Sequence, residues 1–410
     1  MAVQFPIQTD TIHSPQISLC MIVKDEEALL PRCLSSVQGI VDEIIVVDTG
    51  STDRTVAIAQ AFGASVYHHP WQDNFAAARN ESLRHAHGDW ILVLDADETL
   101  ISKCILAFRQ AIASPRCLAV TLLRQEIGAQ QNPYTLVSRL FRRLPQIQFQ
   151  RPYHETIDDS VTALQSQEPH WGINALPIPA IAHDGYRPEA IAQRQKSDRA
   201  ERIMGGYLKA HPQDAYICSK LGALYVTQRR NAEGLTLLNQ GLATQPETSA
   251  VRYELHYHLG LAYAANQHIE LAQQQYELAL ETELSDVLKL AAYINLAALY
   301  SDANVWAQAE ALLTYVLELQ PELAIAHYNL GLIYKAQGNY DAAVAAYQRA
   351  IALQPHTPEA HQNLGVAYLK QGKIPESLAA FRQAIALLTP YNPTEAQRLT
   401  QTLTEMGWQL

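Results

Sequence analysis

Acidic side chains follow two apolar runs near the start of the chain, in a pattern typical of a metal and phosphate site. The run "EIIVV" ends at Asp48, and the run "WILVL" leads directly into Asp95 and Asp97. Alternate residues of a strand point to the same side, so Asp95 and Asp97 are expected to face one crevice. Two carboxylates form part of an Mg²⁺ or Mn²⁺ site whose open positions would accept diphosphate oxygens. Alternatively, Asp97 caps a helix that begins near residue 99.

Further charged residues are predicted at the same edge. Lys24, Asp25 and Glu26 follow the apolar run "ISLCMIV", and ligands of α/β sheets bind beyond the carboxyl ends of the strands. Arg79 lies on the second turn of a helix predicted after Asn74, where it could pair with a rim carboxylate or contact a phosphate. Three strands are thus expected to deliver charged groups to one rim.

The elements that must position these residues are buried strands and the helices that cover them. Continuous runs of Ile, Val and Leu alternate with helical patterns through the first half of the chain. This alternation predicts an α/β domain with a Rossmann-like, mainly parallel sheet. The tetrapeptide that begins at Asp48, Asp-Thr-Gly-Ser, also occurs in aspartic proteases. Here it occurs once and in an α/β context, so we interpret it as a strand-turn-helix corner.

The second half of the chain has a repeating pattern. Tyr300, Tyr334 and Tyr368 follow similar segments and are spaced 34 residues apart (334 − 300 and 368 − 334). This spacing is the period of tetratricopeptide repeats. We predict about five repeats over residues 213–389, which form an all-α solenoid because a single helical pair cannot bury its apolar face alone.

The remaining segments complete the predicted domain organisation. Residues 1–15 are an N-terminal tail, and residues 16–186 are the α/β domain. Residues 187–212 are predicted to form a linking helix with several basic residues, which is either a solvated face or a contact for a phosphate or an acceptor. Residues 390–410 are predicted to form a capping helix, with Met406 facing the last repeat.

The composition of the 410 residues argues against several classes of protein. The formal net charge is −11 and the basic residues form no run, so a nucleic-acid partner is not expected. No apolar stretch reaches the roughly 18 residues of a membrane span, and the N-terminus lacks the pattern of a signal peptide. The five cysteines form no C-x-x-C pair. Together these features predict a cytoplasmic protein.

Four motifs together resemble a known family. The segments "SLCMIVKDEEALLPRCLSSV", "VDEIIVVDTGSTDRT", "WQDNFAAARNESL" and "GDWILVLDADE" are similar, in this order and spacing, to the nucleotide-sugar half of family two glycosyltransferases. The chain particularly resembles bacterial members that carry tetratricopeptide repeats after the catalytic domain. The resemblance implies a GT-A fold, a nucleotide-diphosphate sugar donor such as a UDP-sugar, and Mn²⁺ or Mg²⁺ as cofactor.

The resemblance also implies roles for individual residues. Asp48 would hydrogen-bond the uracil or the ribose, and Arg79 would line the nucleotide pocket near it. Asp97 would be the direct metal ligand, and Asp95 would contact the ribose or a metal-bound water. The segment that would border the nucleoside comprises Val23, Lys24, Asp25 and Glu26.

Two downstream signatures are similar to those of the repeat-bearing relatives. The segment "RPYHETI" places Glu155 after a possible strand, and "PAIAHDGY" places His183 at the end of another. An inverting transferase needs a carboxylate that deprotonates the acceptor nucleophile. Glu155 is the candidate catalytic base, with Asp158 and Asp159 as rivals. His183 is a candidate metal ligand beside the two aspartates.

The sequence therefore predicts a metal-dependent, inverting glycosyltransferase whose repeats recruit an acceptor or a partner protein. A solenoid suits an extended peptide or protein acceptor, and a glycan acceptor is also compatible. Because residues 98–186 are few for an acceptor half, the linking helix or the repeats are expected to contribute. One alternative is a non-catalytic tetratricopeptide scaffold with a degenerate nucleotide-binding domain. Another is a nucleotidyltransferase, but "KDEEALLPR" is not the Gly-rich basic loop expected there.

Overall fold

The computed structural model describes residues 15–184 and 190–408, and of residues 190–195 the backbone alone. The predicted N-terminal tail, except for residue 15, and the first residues of the predicted linking helix lie outside the described residues. The chain forms two compact units. One consists of Met1–Gly128 and Pro133–Pro212, and the other consists of Ala129–Asn132 and Gln213–Leu410. The predicted domain boundaries stay predictions.

The first unit is built on one eight-stranded sheet. Its strands are β1 Ile17–Val23, β2 Glu43–Asp48, β3 Ser65–His68, β4 Trp90–Val93, β5 Glu98–Leu100, β6 Cys117–Glu126, β7 Tyr134–Arg142 and β8 Gly172–His183. They lie side by side in the order β3-β2-β1-β4-β7-β6-β8-β5. Strands β5 and β7 run antiparallel to their neighbours, and the other pairs are parallel. The predicted α/β fold class with a mainly parallel sheet is confirmed.

Helices cover both faces of this sheet. They are α1 Leu30–Ser36, α2 Thr55–Ala61, α3 Phe75–Arg84, α4 Ile105–Ala113 and α5 Asp158–Gln167, and the last helix of this unit is α6 Ala190–Ala210. One apolar cluster joins the sheet to α1 and α4 through Leu34 and Phe108. A second cluster joins the sheet to α3 and α5 through Ala76 and Val161. Because the central strands are buried on both sides, their sequences are uninterrupted apolar runs.

Asp95 and Asp97 lie in a turn rather than in a strand. Strand β4 ends at Val93 and β5 begins at Glu98, so the prediction that the two aspartates are alternate residues of a strand is wrong. The Glu98 amide donates to the Asp95 carbonyl oxygen (3.0 Å), and the Asp95 amide donates to the Glu98 carboxylate (2.9 Å). The helix predicted from residue 99 is also wrong, because Glu98–Leu100 pairs with β8.

The second unit is helical. Its helices are α7 Ala215–Thr227, α8 Asn231–Ala243, α9 Ser249–Ala265, α10 Ile269–Leu280, α11 Leu290–Asp302, α12 Trp306–Leu319, α13 Ala324–Ala336, α14 Tyr340–Leu353, α15 Pro358–Lys370, α16 Ile374–Leu388 and α17 Pro393–Glu405. Consecutive helices from α7 to α16 pack as five pairs. Each pair also contacts the next pair along the chain, which confirms the predicted all-α solenoid.

A glycine on the first helix of a pair faces a large side chain on the second. A Cβ atom at Gly331 would lie 2.5 Å from the Tyr347 ring, and a Cβ atom at Gly365 would lie 3.0 Å from the Phe381 ring. The separation at Gly331 is shorter than real Cβ contacts, so that position requires glycine while the ring stays in place, and the separation at Gly365 is tight enough that the ring would have to shift slightly. The close approach of paired helices thus depends on a glycine that meets an aromatic ring.

Helix α17 packs against the last pair. The Asn392 side chain accepts a hydrogen bond from the Glu395 amide (3.3 Å) at the start of the helix, and Leu399 and Leu403 are buried against α16. Met406 is 56% exposed, so its predicted contact with the last repeat is wrong. Within the described parts of the chain, no helix combines the length and apolar character that crossing a bilayer requires.

Candidate functional site

The loops that follow β1 and β2 are bonded to each other. The Asp25 carboxylate accepts a hydrogen bond from the Thr52 amide (2.7 Å), and the Asp25 amide donates to the Ser51 hydroxyl (3.0 Å). Asp25 has a φ of 54°, a left-handed conformation in which its side chain reaches the second loop. In the same segment Val23 is buried and Lys24 is exposed. The backbone of the predicted nucleoside-binding segment is therefore fixed by the neighbouring loop.

Asp48 organises the turn at the end of β2. It is 3% exposed, and its carboxylate accepts hydrogen bonds from the amides of Gly50 (3.2 Å) and Ser51 (3.1 Å). Nδ1 of His68 lies 3.2 Å from the same carboxylate. Burial by itself would raise the pKa of Asp48, but these hydrogen bonds outweigh it and lower the pKa below its ordinary value. Asp48 is therefore held as a charged group at the rim.

Asp95 is held by two guanidinium groups. Arg79 on α3 donates from Nη2 to Oδ1 (2.7 Å), and Arg139 on β7 donates from Nη2 to Oδ2 (3.0 Å). Burial by itself would raise the pKa of Asp95, but Arg139 and Arg79 outweigh it and hold the pKa far below its ordinary range. Arg79, which is 4% exposed, also contacts Glu155 through Nε. The structure thus brings Asp95, Arg79 and Glu155 together.

Asp97 pairs with His183. Strand pairing sets His183 beside Glu98 of β5 and Glu126 of β6. Its Nε2 lies 3.3 Å from Oδ2 of Asp97, and its Nδ1 lies 2.5 Å from the Glu126 carboxylate. Burial by itself would lower the pKa of His183, but the contacts with Asp97 and Glu126 outweigh it and raise the pKa to about 9. The two candidate metal ligands are therefore direct neighbours.

Four charged residues that the sequence analysis missed connect these two clusters. Glu98 is fully buried, pairs with Arg124 (2.9 Å) and lies 3.9 Å from Arg139. Arg124 also pairs with Glu126 (2.8 Å). The complete chain of contacts, called the rim network below, runs through Glu155, Arg79, Asp95, Arg139, Glu98, Arg124, Glu126, His183 and Asp97. A charged residue inside an apolar strand segment is the feature that could have identified such residues, as Arg139 does in "TLVSRLF".

Glu26 brings the end of β1 to the same cluster. Its amide donates to the Thr55 hydroxyl (2.7 Å). Burial, and then the negative charges of Asp97 and Asp95, raise the pKa of Glu26 to about 7. This electrostatic effect operates because the three carboxylates lie near one another. The structure therefore assembles Glu26, Asp95 and Asp97 at one rim, whereas the Asp48 carboxylate is bonded within its own turn.

The available donor atoms suit an open metal site. Asp97 and His183 offer an oxygen and a nitrogen side by side, and Glu126 orients the imidazole from its other nitrogen, as partners of metal-binding histidines commonly do. Both oxygens of Asp95 are engaged by arginines. Where side chains are described, no group of three or more His, Cys, Asp or Glu residues is arranged to hold a metal. An Mn²⁺ or Mg²⁺ ion would therefore take most of its ligands from water or substrate oxygens.

The segment that carries Glu155 has an unusual backbone. Arg151 and His154 have φ values of 71° and 53°, which are uncommon for residues other than glycine. Arg151 pairs with Asp159 in the first turn of α5, and Asp158 is exposed at the start of that helix. Of the three candidate bases, Glu155 is the one that contacts the rim network.

Comparison with known proteins places the chain in a family. Residues 18–173 match the family model described as glycosyl transferase family 2. A TPR repeat-containing protein of Synechococcus elongatus is 50% identical over 287 residues, which cover 70% of this chain and 71% of that protein. The chain therefore carries a glycosyltransferase family 2 domain. Its second half matches tetratricopeptide repeat models over residues 253–286, 294–343, 331–372 and 358–389.

Two other relatives are named as glycosyltransferases. A glycosyltransferase of Rickettsia felis is 50% identical over 90 residues, which cover 21% of this chain and 30% of that protein. The prophage-derived glycosyltransferase SunS of Bacillus subtilis is 27% identical over 214 residues, which cover 49% of this chain and 47% of SunS. In both alignments the matched residues cover less than half of this chain and less than half of the relative. The resemblance deduced from the four motifs is confirmed.

Proposed function

We propose that this protein transfers a sugar from a nucleotide-diphosphate donor, a UDP-sugar, to an acceptor, with inversion at the anomeric carbon and with Mn²⁺ or Mg²⁺ as cofactor. The observation that carries this proposal is the pairing of Asp97 with His183 at the end of the rim network that also holds Asp95. The match of residues 18–173 to glycosyltransferase family 2 supports the reaction class. The cluster supports the cofactor, because it offers the donor atoms of an open divalent-metal site.

Asp97 and His183 are the residues that would hold the metal, and Glu126 would orient the imidazole. When bound, the ion would supply positive charge to the diphosphate of the donor. Asp95 belongs to the predicted ligand set, and its two oxygens are already engaged by Arg79 and Arg139. We therefore propose that Asp95 acts mainly by fixing the turn that carries Asp97.

The nucleoside is proposed to lie along the loops that follow β1 and β2. The exposed Lys24 lies at that edge, and the charged Asp48 orders the turn that follows β2. Hydrogen bonds between the two loops hold the backbone from Val23 to Glu26 in one conformation. A rigid backbone limits the conformational entropy that is lost when the nucleotide binds.

In the proposed reaction the acceptor nucleophile attacks the anomeric carbon while the bond from that carbon to the diphosphate oxygen breaks. The electron pair of the broken bond stays on the diphosphate, and the proton of the nucleophile passes to a carboxylate base. Glu155 is the proposed base because it is the candidate that contacts Arg79 in the rim network. Asp158 and Asp159 remain the rival candidates.

Steady-state kinetics of Glu155→Gln test this assignment. Loss of the base predicts a kcat that is lower by roughly 100-fold or more, with little change in the KM for the donor. A residue that only positions Arg79 would instead raise the KM for the donor. Asp158→Asn and Asp159→Asn are the matched controls. A large loss of kcat in one of them, together with near wild-type kcat in Glu155→Gln, would reassign the base.

The repeats are proposed to recruit the acceptor, which would be a peptide, a protein or a glycan, or to recruit a separate partner protein. Stacked helical repeats present an extended surface that suits such partners. A nucleic-acid partner is not part of the proposal, given the net charge of −11. All five cysteines are buried free thiols, which supports the proposed cytoplasmic location.

A donor screen tests the proposed function directly. Purified protein is incubated with UDP-, GDP-, ADP- and CDP-sugars and MnCl₂, and the released nucleoside diphosphate is measured. We expect slow hydrolysis of one donor class without any acceptor, because water can replace the acceptor nucleophile, and we expect EDTA to abolish it. Equal release in EDTA contradicts the metal dependence. No release and no transfer from any donor contradicts the enzymatic function.

The second candidate function is a tetratricopeptide scaffold with a degenerate nucleotide-binding domain. One observation favours it, namely that both oxygens of Asp95 are paired within the protein. The donor screen separates the two candidates. Turnover of any donor excludes the scaffold, whereas nucleotide binding without turnover in the presence of Mn²⁺ supports it.

A further inference from the structure

Helix α6 begins after the last residue matched by the glycosyltransferase family model, yet it contacts the loop that follows β3. Arg202 donates to the Asp73 carboxylate (2.8 Å). The guanidinium group of Arg199 lies over the rings of Trp71 and Phe75, 5.9 Å and 5.8 Å from their centroids. These contacts hold the basic face of α6 against the loop that follows β3 and the start of α3.

Arg199 carries a buried donor without a partner. Its Nε atom is buried and forms no hydrogen bond with any described residue. The two aromatic rings lie near the guanidinium group but offer no lone pair to its N–H groups. Leaving a buried donor unpaired costs free energy. A ligand that accepts a hydrogen bond would remove this cost.

A second buried guanidinium donor without a partner among the described residues lies near the segment that carries Glu155. Tyr153 contacts Phe75, with 5.3 Å between the ring centroids. Burial raises the pKa of Tyr153, and the charges of Arg199 and Glu155 both act on it. Nη1 of Arg79 is likewise buried and without a hydrogen-bond partner among the described residues. Two guanidinium groups with unused donors therefore lie around this segment.

A second cation of α6 stands on the same side of the helix. Lys196 precedes Arg199 by three residues, a spacing that places both on one face. Lys196 is exposed, and its charge acts on Glu26 at the end of β1. The cations nearest to the aspartates, Arg79 and Arg139, are already paired with carboxylates. Helix α6 therefore adds positive charge for an incoming anion to that of the exposed Lys24 at the end of β1.

We propose that Arg199, together with Lys196, binds the diphosphate of the nucleotide-sugar donor and stabilises it as the leaving group. This inference rests on the proposed function. When the bond between the anomeric carbon and the diphosphate oxygen breaks, its electron pair stays on that oxygen. The acceptor nucleophile bonds to the carbon and gives its proton to the base. The departing diphosphate gains a negative charge close to Glu26 and Asp97, and fixed cations on α6 offset that charge.

Isothermal titration calorimetry on the full chain tests the proposal. The probes are UDP, GDP, ADP and CDP with MnCl₂, and the nucleosides of the same four bases. Arg199→Met keeps an apolar stem on the two rings but removes every N–H donor, and Arg199→Lys keeps the charge. Lys209→Gln removes a charge from an exposed residue of the same helix and is the matched control.

We expect Arg199→Met to bind the preferred nucleoside diphosphate about 10- to 100-fold more weakly than the wild type, with unchanged affinity for the nucleoside. Arg199→Lys should lie between the two, and Lys209→Gln should match the wild type. Wild-type affinity of Arg199→Met for the diphosphate overturns the inference alone. An equal loss for diphosphate and nucleoside also overturns it, because Arg199 would then have a structural role. If the wild type binds none of the four diphosphates with Mn²⁺, the proposed function fails and the inference fails with it.

Discussion

The two units of this protein hold their key residues in place by different means. In the repeats, contacts recur at short, fixed spacing, as between Gly331 and Tyr347, which are 16 residues apart (347 − 331). In the first unit, the rim network joins residues that are distant in sequence, such as Asp95 and Arg139, 44 residues apart. The repeats depend on shape, because apolar atoms must fit. The rim depends on charge, because buried ions must be paired.

Because of this difference, the two units should respond differently to a single substitution. A poor fit in one helical pair is absorbed partly by its neighbours, because repeat arrays are stabilised by local terms. Removal of one carboxylate from the rim network leaves buried cations with fewer carboxylate partners, and such a loss is large. Single substitutions in the two units therefore test whether stability depends on apolar fit in the repeats and on ion pairing in the rim network.

Asp95→Asn should have the largest effect on stability. It removes the charge that Arg79 and Arg139 share in the interior of the rim network. We expect the free energy of unfolding of the first unit to fall by about 3–5 kcal/mol. Urea denaturation, followed by hydrogen exchange of peptides from β1, β4 and α3, measures the loss. A decrease below about 1 kcal/mol would show that the network is not needed for stability.

Gly331→Ala should have an intermediate effect that stays within the repeats. The added methyl group would meet the Tyr347 ring, and overpacking of this kind costs about 1–3 kcal/mol. The third pair already combines Ala297 with Leu313 in one buried cluster. We therefore expect Gly331→Ala to cost less when Tyr347→Leu is also present. Hydrogen exchange in α13 and α14 measures the loss of stability in the single and the double variants. If the losses of the two single changes simply added in the double variant, the steric explanation would be contradicted.

Glu26→Gln should stabilise the metal-free protein, but only at the higher pH. The folded-state pKa of Glu26 is raised from 4.5 to about 7, so its contribution to stability is present below pH 4.5 and is lost as the pH rises through 7. At pH 8 in EDTA the substitution should raise the free energy of unfolding by roughly 1–2 kcal/mol, after allowance for solvent screening. At pH 4.5 it should have little effect. A gain of equal size at both pH values would contradict the proximity of Glu26 to the two aspartates.

Glu81→Gln should have the smallest effect. Glu81 pairs with the exposed Arg84 on the surface of α3 (2.9 Å), and exposed ion pairs of this spacing contribute about 0.3–0.5 kcal/mol. The Glu81 and Asp95 side chains are similarly exposed, at 24% and 33%, whereas Arg84 is 76% exposed and Arg79 is 4% exposed. Glu81→Gln is therefore the matched control for burial of the partner cation, and a loss as large as that of Asp95→Asn would mean that this burial does not distinguish the two ion pairs.

Local patterns in the sequence were sufficient for most of the fold. Apolar runs predicted β1, β2 and β4, and the recurring tyrosines predicted the helical pairs, because both patterns lie within a few residues. The strand assignment of Asp95 and Asp97 was wrong because the turn there is set by Glu98 and by its pairing with β8. That partner strand lies far along the chain and left no local signal.

The rim network illustrates the same limit. Arg139 occupies a single charged position among apolar residues and Glu98 directly follows Asp97, and nothing local indicates which opposite charge either residue meets. Met406 shows the converse error. It continued the apolar spacing of Leu399 and Leu403, but α17 ends at Glu405, so the helical period no longer applied. Periodicity is informative only inside an element, and ion pairs between distant elements require the fold.

The central claim is that Asp97 and His183 bind a divalent metal that holds the diphosphate of the donor. Calorimetric titration of nucleoside diphosphates into the protein, with Mn²⁺ and then with EDTA, tests it most directly. We expect binding to the wild type only when Mn²⁺ is present, no binding to Asp97→Asn, and wild-type binding to Asp302→Asn, a matched change at an exposed residue of α11. Equal binding in EDTA, or binding to Asp97→Asn that matches the wild type, would contradict it.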